Sequence, residues 1–231
     1  MSYLWQEFNI KTFEAETLVF RDSVFYPELS DYKNIEFNNN KNIISINKTP
    51  KLPIHIIYIG EISGNIDLTI NINTDNTDVI IDFKTICKKP AFLNIFIKNT
   101  GKNSVLNGKI IIKNYSELKI NITGEHLKDK SDIFVKTKVA AYKNSKNYLT
   151  GSAKIEKNAR NCSSDISFSC IADENSFITI KPVQYINSVP KNASHSASIY
   201  KPNENQIYYL KTSGLSDIKI KNILEDAFLE E

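Results

Sequence analysis

At 231 residues, 41% of them hydrophobic, the chain is long enough to bury a core of its own. No run approaches the ~18 uninterrupted apolar residues that a membrane-crossing helix requires. The net charge of +3 comes from 29 basic and 26 acidic residues spread along the sequence, without the basic stripe and interleaved aromatics of a nucleic-acid binder.

The chain opens on Met1-Ser2-Tyr3-Leu4-Trp5-Gln6-Glu7-Phe8, which lacks the basic region and apolar stretch of a secretory leader, so the cytoplasm is the expected compartment. Residues 1–50 mix apolar and polar positions without clear periodicity and read as a reduced N-terminal segment. Arg21 and Arg160 are the only arginines; the abundance of Lys, Asn and Ile reads as coding bias and not as selection for a partner.

From about Lys51 to Tyr185 short alternating runs dominate, and residues 51–200 form the expected β core. Ile66, Leu68, Ile70 and Ile72 alternate with Asp67, Thr69 and Asn71, which places the aliphatics on one face of a strand. Val79-Ile81-Phe83, Leu93-Ile95-Ile97, Ile110-Ile112, Leu118-Ile120-Ile122, Ile166-Phe168-Cys170 and Ile178-Ile180 repeat the pattern. Clusters at 73–78, 99–103 and 173–176, rich in Asn, Asp, Gly and Ser, supply turns between them. Strands of about five residues every ~10–15 fit a sandwich, a barrel or a β-solenoid, and the spacing alone leaves all three open.

The three cysteines, Cys87, Cys162 and Cys170, form no CxxC pair, and neither a disulfide framework nor a metal site with the scattered His55, His126 and His195 is expected. Cys170 is in phase with Ile166 and Phe168 and reads as a small buried hydrophobe. Cys87 precedes Lys88 and Lys89, which would lower its thiol pKa were it exposed. With 7 glycines and no phosphate-binding or nucleophile-elbow motif, no enzymatic activity is expected. Asp165, Asp173 and Glu174 would be the acids of a solenoid lyase, a reading that also calls for export.

From Pro202 the period changes, and residues 201–231 form the expected C-terminal helical region. Ile207 and Leu210 share a face, Gly214 is placed to end the first helix and Ser216 to cap the second. Ile220, Ile223, Leu224, Ala227 and Phe228 then form a stripe at spacings of three and four.

Asn192-Ala193-Ser194-His195-Ser196-Ala197-Ser198-Ile199, the later Ile207-Tyr208-Tyr209-Leu210-Lys211-Thr212-Ser213-Gly214 and the final helix together carry a resemblance. From about Ile178 onward the chain resembles the SufB/SufD family, scaffold subunits of SUF iron–sulfur cluster assembly. The resemblance implies a mainly β fold, a right-handed parallel β-helix with short C-terminal helices. It also implies that His195 lies where two scaffold subunits meet, as a cluster-assembly or metal candidate, with Cys170 and Cys162 as weaker ones. No cofactor would be held stably; a transient iron–sulfur cluster would be shared with a partner, a SufB-like chain or a second copy. A SufC-type ATPase would dock on the C-terminal helices, for which Ile207, Tyr208, Leu210, Ile223, Leu224 and Phe228 are the candidates.

The chain departs from the family in informative places. SufB-type chains flank this His with carboxylates, whereas Ser194 and Ser196 stand here. The Ser before His fits the SufD type, although Ala193 replaces that type's Cys and Ser196 its Gly. A family acceptor cysteine, counted back without gaps, falls on Ser167. Family members usually carry a longer helical N-terminal region. These departures keep two alternatives in view: a degenerate scaffold without cluster chemistry, and a solenoid protein that binds or cleaves carbohydrate.

Overall fold

A computed structural model describes residues 15–230, so the reading of Met1–Phe8 lies outside them. The alternating runs close into a parallel β-solenoid of about six turns, followed by two short helices. One wall stacks β1 (Glu16–Arg21), the first half of β5 (Ile54–Ile72), the first half of β6 (Asp78–Asn99), β7 (Val105–Asn114), β9 (Asp132–Ala141), β11 (Ser163–Ala172) and β13 (Asn192–Tyr200). The other stacks β4 (Ile43–Ile46), the second halves of β5 and β6, β8 (Glu117–His126), β10 (Lys146–Ile155) and β12 (Phe177–Ile186).

The strands β7 to β12 have ten residues each, about twice the expected length, and β5 and β6 run for 19 and 22. Side chains that break the hydrophobic pattern explain the difference. In β7 the inward positions are Leu106, Gly108, Ile110 and Ile112, and Gly108 hides the period because it has no side chain. Turns hold the left-handed conformation with Asn, which tolerates it best after Gly: Asn76, Asn103 and Asn161 have φ of 54°, 56° and 55°.

Inward side chains form columns that cross the rungs. Leu18, Ile56, Ile81, Gly108, Val135, Ile166 and His195 stand in one; Phe20, Tyr58, Phe83, Ile110, Thr137, Phe168 and Ala197 in the next. On the facing wall, Ile66, Leu93, Ile120, Leu149 and Ile180 do the same. The walls approach closely at Gly151, where an added Cβ would lie 2.6 Å from the Phe168 ring. Buried asparagines satisfy the turns from inside: Asn114 donates to Asn147 Oδ1 at 2.8 Å and accepts from the Ser116 amide at 2.9 Å.

The two ends are finished differently. At the start, β2 (Val24–Phe25) pairs antiparallel with β1, and β3 (Ile35–Asn38) pairs antiparallel with β4. Leu18, Phe20, Ile35, Ile44 and Ile46 belong to the same core as the later rungs. The rings of Phe25, Phe37 and Tyr58 each lie within 5.5 Å of Phe20 by centroid. At the other end, β12 and β13 each pair with one neighbour only among the described residues.

After β13 the chain folds back as α1 (Glu204–Thr212) and α2 (Asp217–Glu230). Asn203 caps α1 through a reciprocal box with Gln206. Gly214, at φ 80°, takes the left-handed position after the C-cap Ser213, and Ser216 Oγ accepts from the Lys219 amide. No helix among the described residues is long and apolar enough to cross a membrane.

Candidate functional site

His195 projects from the middle of β13 into the inward column, directly beyond Ile166. In every earlier rung that position is apolar and covered; here it is exposed, because the column ends. Ala193, Ala197 and Ile199 share its face, the last 54% exposed. Across the cross-section β12 presents Ile178, Ile180, Pro182, Gln184 and Ile186 in the inward phase. Of these, Ile178 and Ile180 pack partly against the core, and the Gln184 Nε2 amide is buried without an acceptor. The outer face of β13 is polar: Ser194, Ser196 and Ser198 stand beside Asp165, Ser167 and Ser169. Ser198 donates to Ser169 Oγ at 2.9 Å.

Both weaker candidates lie one rung beneath β13. Cys170 stands under Ile199, with its thiol pushed up to about 12 by burial. Ser167, where the gap-free count placed an acceptor, points outward beside Ser196. Cys162 sits at the corner before β11 and packs with Ile155 and Ala159 against Ala193. Its thiol donates to the Lys128 carbonyl at 3.2 Å and lies 3.4 Å from Ser131 Oγ. His126 completes that cluster, with Nδ1 2.8 Å from Ser131 Oγ and Nε2 buried without a partner. Burial lowers its pKa to about 4, so the ring is neutral. Nδ1–H donating to Ser131, whose hydroxyl donates to Lys128 O at 3.2 Å, is a consistent assignment.

The fold therefore brings Cys162, Cys170 and His195 to the same end of the solenoid, although nothing in their spacing shows it. His126 was invisible in sequence because its role depends on Ser131 and Cys162 from other rungs. Among the described residues, no group of three or more His, Cys, Asp and Glu side chains could hold a metal ion. Cys87 is buried, and desolvation, with Glu61 adding to it, pushes its thiol up to about 11; Lys88 instead pairs with Glu61 at 3.0 Å. Asp173 is tied to Lys221 at 2.5 Å, while Asp165 lies outward at the opposite end of β11.

The helix candidates divide into two groups. Tyr208 and Ile223 are 70% and 45% exposed, as are the neighbouring Tyr209 and Ile218 at 70% and 76%. Ile207 and Leu224 instead line a 450 Å³ cavity between the helices and the solenoid, Leu210 is half-buried, and Phe228 stacks on Tyr200. The sequence stripe is thus wider than the contact: Ile223 and Ala227 face solvent while Glu225 and Leu229 are buried.

The family model described as the SufBD core domain of SUF system FeS cluster assembly matches residues 66–228. The chain belongs to that family. Its match takes in most of the solenoid, His195 and nearly all of α2, and it places the protein in SUF iron–sulfur cluster assembly. No curated protein matches the chain significantly.

Proposed function

We propose that this SufBD-family chain is a SufD-like scaffold subunit of a cytosolic SUF complex, with no catalysis of its own. The observation that carries the reading is the uncapped end: an apolar cross-section with His195 in an inward column and two open strand edges. An exposed pair of strand edges over apolar surface favours strand addition by another chain. A SufB-like chain or a second copy stacked there would bury Ile178, Ile180 and Ile199 and bring its own groups to His195. Neutral imidazole can bind iron or move a proton near neutral pH. A nascent cluster is then cargo shared across the junction, with His195 its contact on this side and Cys170 and Cys162 sealed one layer below.

The exposed Tyr208, Tyr209, Ile218 and Ile223 support docking of a SufC-type ATPase on the helices, since large exposed apolar and aromatic side chains offer contacts to a partner. The test is co-expression with a SufC-type ATPase and a SufB-like chain, followed by mass determination by light scattering. A stable complex containing this chain is expected. A monomer that ignores both would overturn the reading and favour a degenerate scaffold, to which Ala193 and Ser196 would then belong.

A further inference from the structure

One strip on the outer face of the solenoid departs from its polar surroundings. Ile111, Ala140, Ile171 and Tyr200 point outward from successive rungs, with Ala140, Ile171 and Tyr200 beside one another in register. Leu229 and Phe228 of α2 cover the strip. The apolar part of this contact is small: α1 buries no residue fully, and α2 buries only Ile220, Glu225 and Leu229. One of the three buried positions is therefore a carboxylate.

Glu225 is held by two groups of the solenoid. Lys113 Nζ lies 2.6 Å from Oε1, with the two side chains 10% and 6% exposed, and Tyr142 Oη donates to Oε2 at 2.5 Å. Lys113 stands beside Ala140 in the outward column, so the ion pair is sealed under α2 where it meets the strip. A buried ion pair adds little net stability, because desolvation offsets the attraction, yet leaving half of it behind is costly. Such a contact fixes position without the cohesion of a core.

We propose that α1 and α2 form a hinged cover over this strip, locked by Lys113, Glu225 and Tyr142, which opens about residues 201–203 while the solenoid stays folded. Those residues carry no regular structure between β13 and α1. The inference concerns the isolated chain and stands whether or not an ATPase docks on the helices.

Hydrogen exchange of the full chain, read by mass spectrometry at fixed pH, tests it. In Glu225→Gln Lys113 loses its close, buried partner and keeps only Asp226, 3.7 Å away and 32% exposed, and α2 amides should exchange about tenfold or more faster while β7 and β9 keep their protection. Adding Lys113→Met removes that charge while Gln still accepts from Tyr142, and α2 protection should return to within about threefold of the parent chain. Unchanged α2 protection in Glu225→Gln would overturn the lock. Equal acceleration in β7 and β9 would overturn separate opening, and a double variant as open as the single would assign the effect to packing instead of charge.

Discussion

The two ends of the solenoid solve the same problem in opposite ways. A stack of parallel strands leaves an open edge and an uncovered core wherever it stops. At the first end the column through Tyr58 finishes in Phe20, 3% exposed and surrounded by Phe25 and Phe37, and the strand edges are closed by antiparallel partners. At the last end the same column finishes in exposed Ala197, and its neighbour finishes in His195 where the other end has fully buried Leu18. The first end is built to terminate the fold. The second has the composition of an interior layer whose next rung is missing, and a polar residue has been placed in it.

Truncation should separate the ends most clearly. Phe20→Ala empties a filled aromatic site and should cost about 3–5 kcal/mol in urea or thermal unfolding. A loss below about 1 kcal/mol would mean that the cap is loosely packed. Two strands beneath the open end of its wall, His126 provides the next largest effect. Its folded pKa of about 4 lies below the ordinary 6.5, so between those values the unfolded chain binds a proton that the folded one refuses. Its contribution is fully present above pH 6.5 and lost as pH falls toward 4, by about 3 kcal/mol. His126→Gln should flatten that part of the stability profile; an unchanged slope would assign it to other groups.

Smaller effects are expected at the open end itself. Ile199→Asp should move the unfolding free energy of the isolated chain by no more than about 1 kcal/mol, since the side chain is already 54% exposed. The same change should abolish association with a SufB-like chain or a second copy in light scattering, and retained association would place the interface elsewhere. His195→Ala should shift stability by about 0.5 kcal/mol or less and leave the complex assembled. Cluster formation by that complex, followed by absorbance, should fall; an unaffected rate would remove His195 from the assembly chemistry.

The strands and helices were legible because their evidence is local, whereas the choice of a solenoid over a sandwich or a barrel came from the family resemblance. Period-two runs such as Ile66-Leu68-Ile70-Ile72 dictate one buried face, turn clusters recur between them, and the change of period after Pro202 marks the helices. Strand lengths and the cap were not legible. Gly108 interrupts a column without interrupting the strand, β1 buries four positions in a row and so shows no alternation, and β2 to β4 hold only two to four residues each. The sequence likewise determined that His195 sits in an alternating segment followed by a helical tail. Only the tertiary structure decided that this His faces inward beyond Ile166, that Cys162 and Cys170 lie beneath the same strand, and that Glu225 pairs with Lys113. Each of those relations joins residues from different rungs or from a helix and a wall. Their proximity follows from the number of residues each turn consumes, and no local spacing records it.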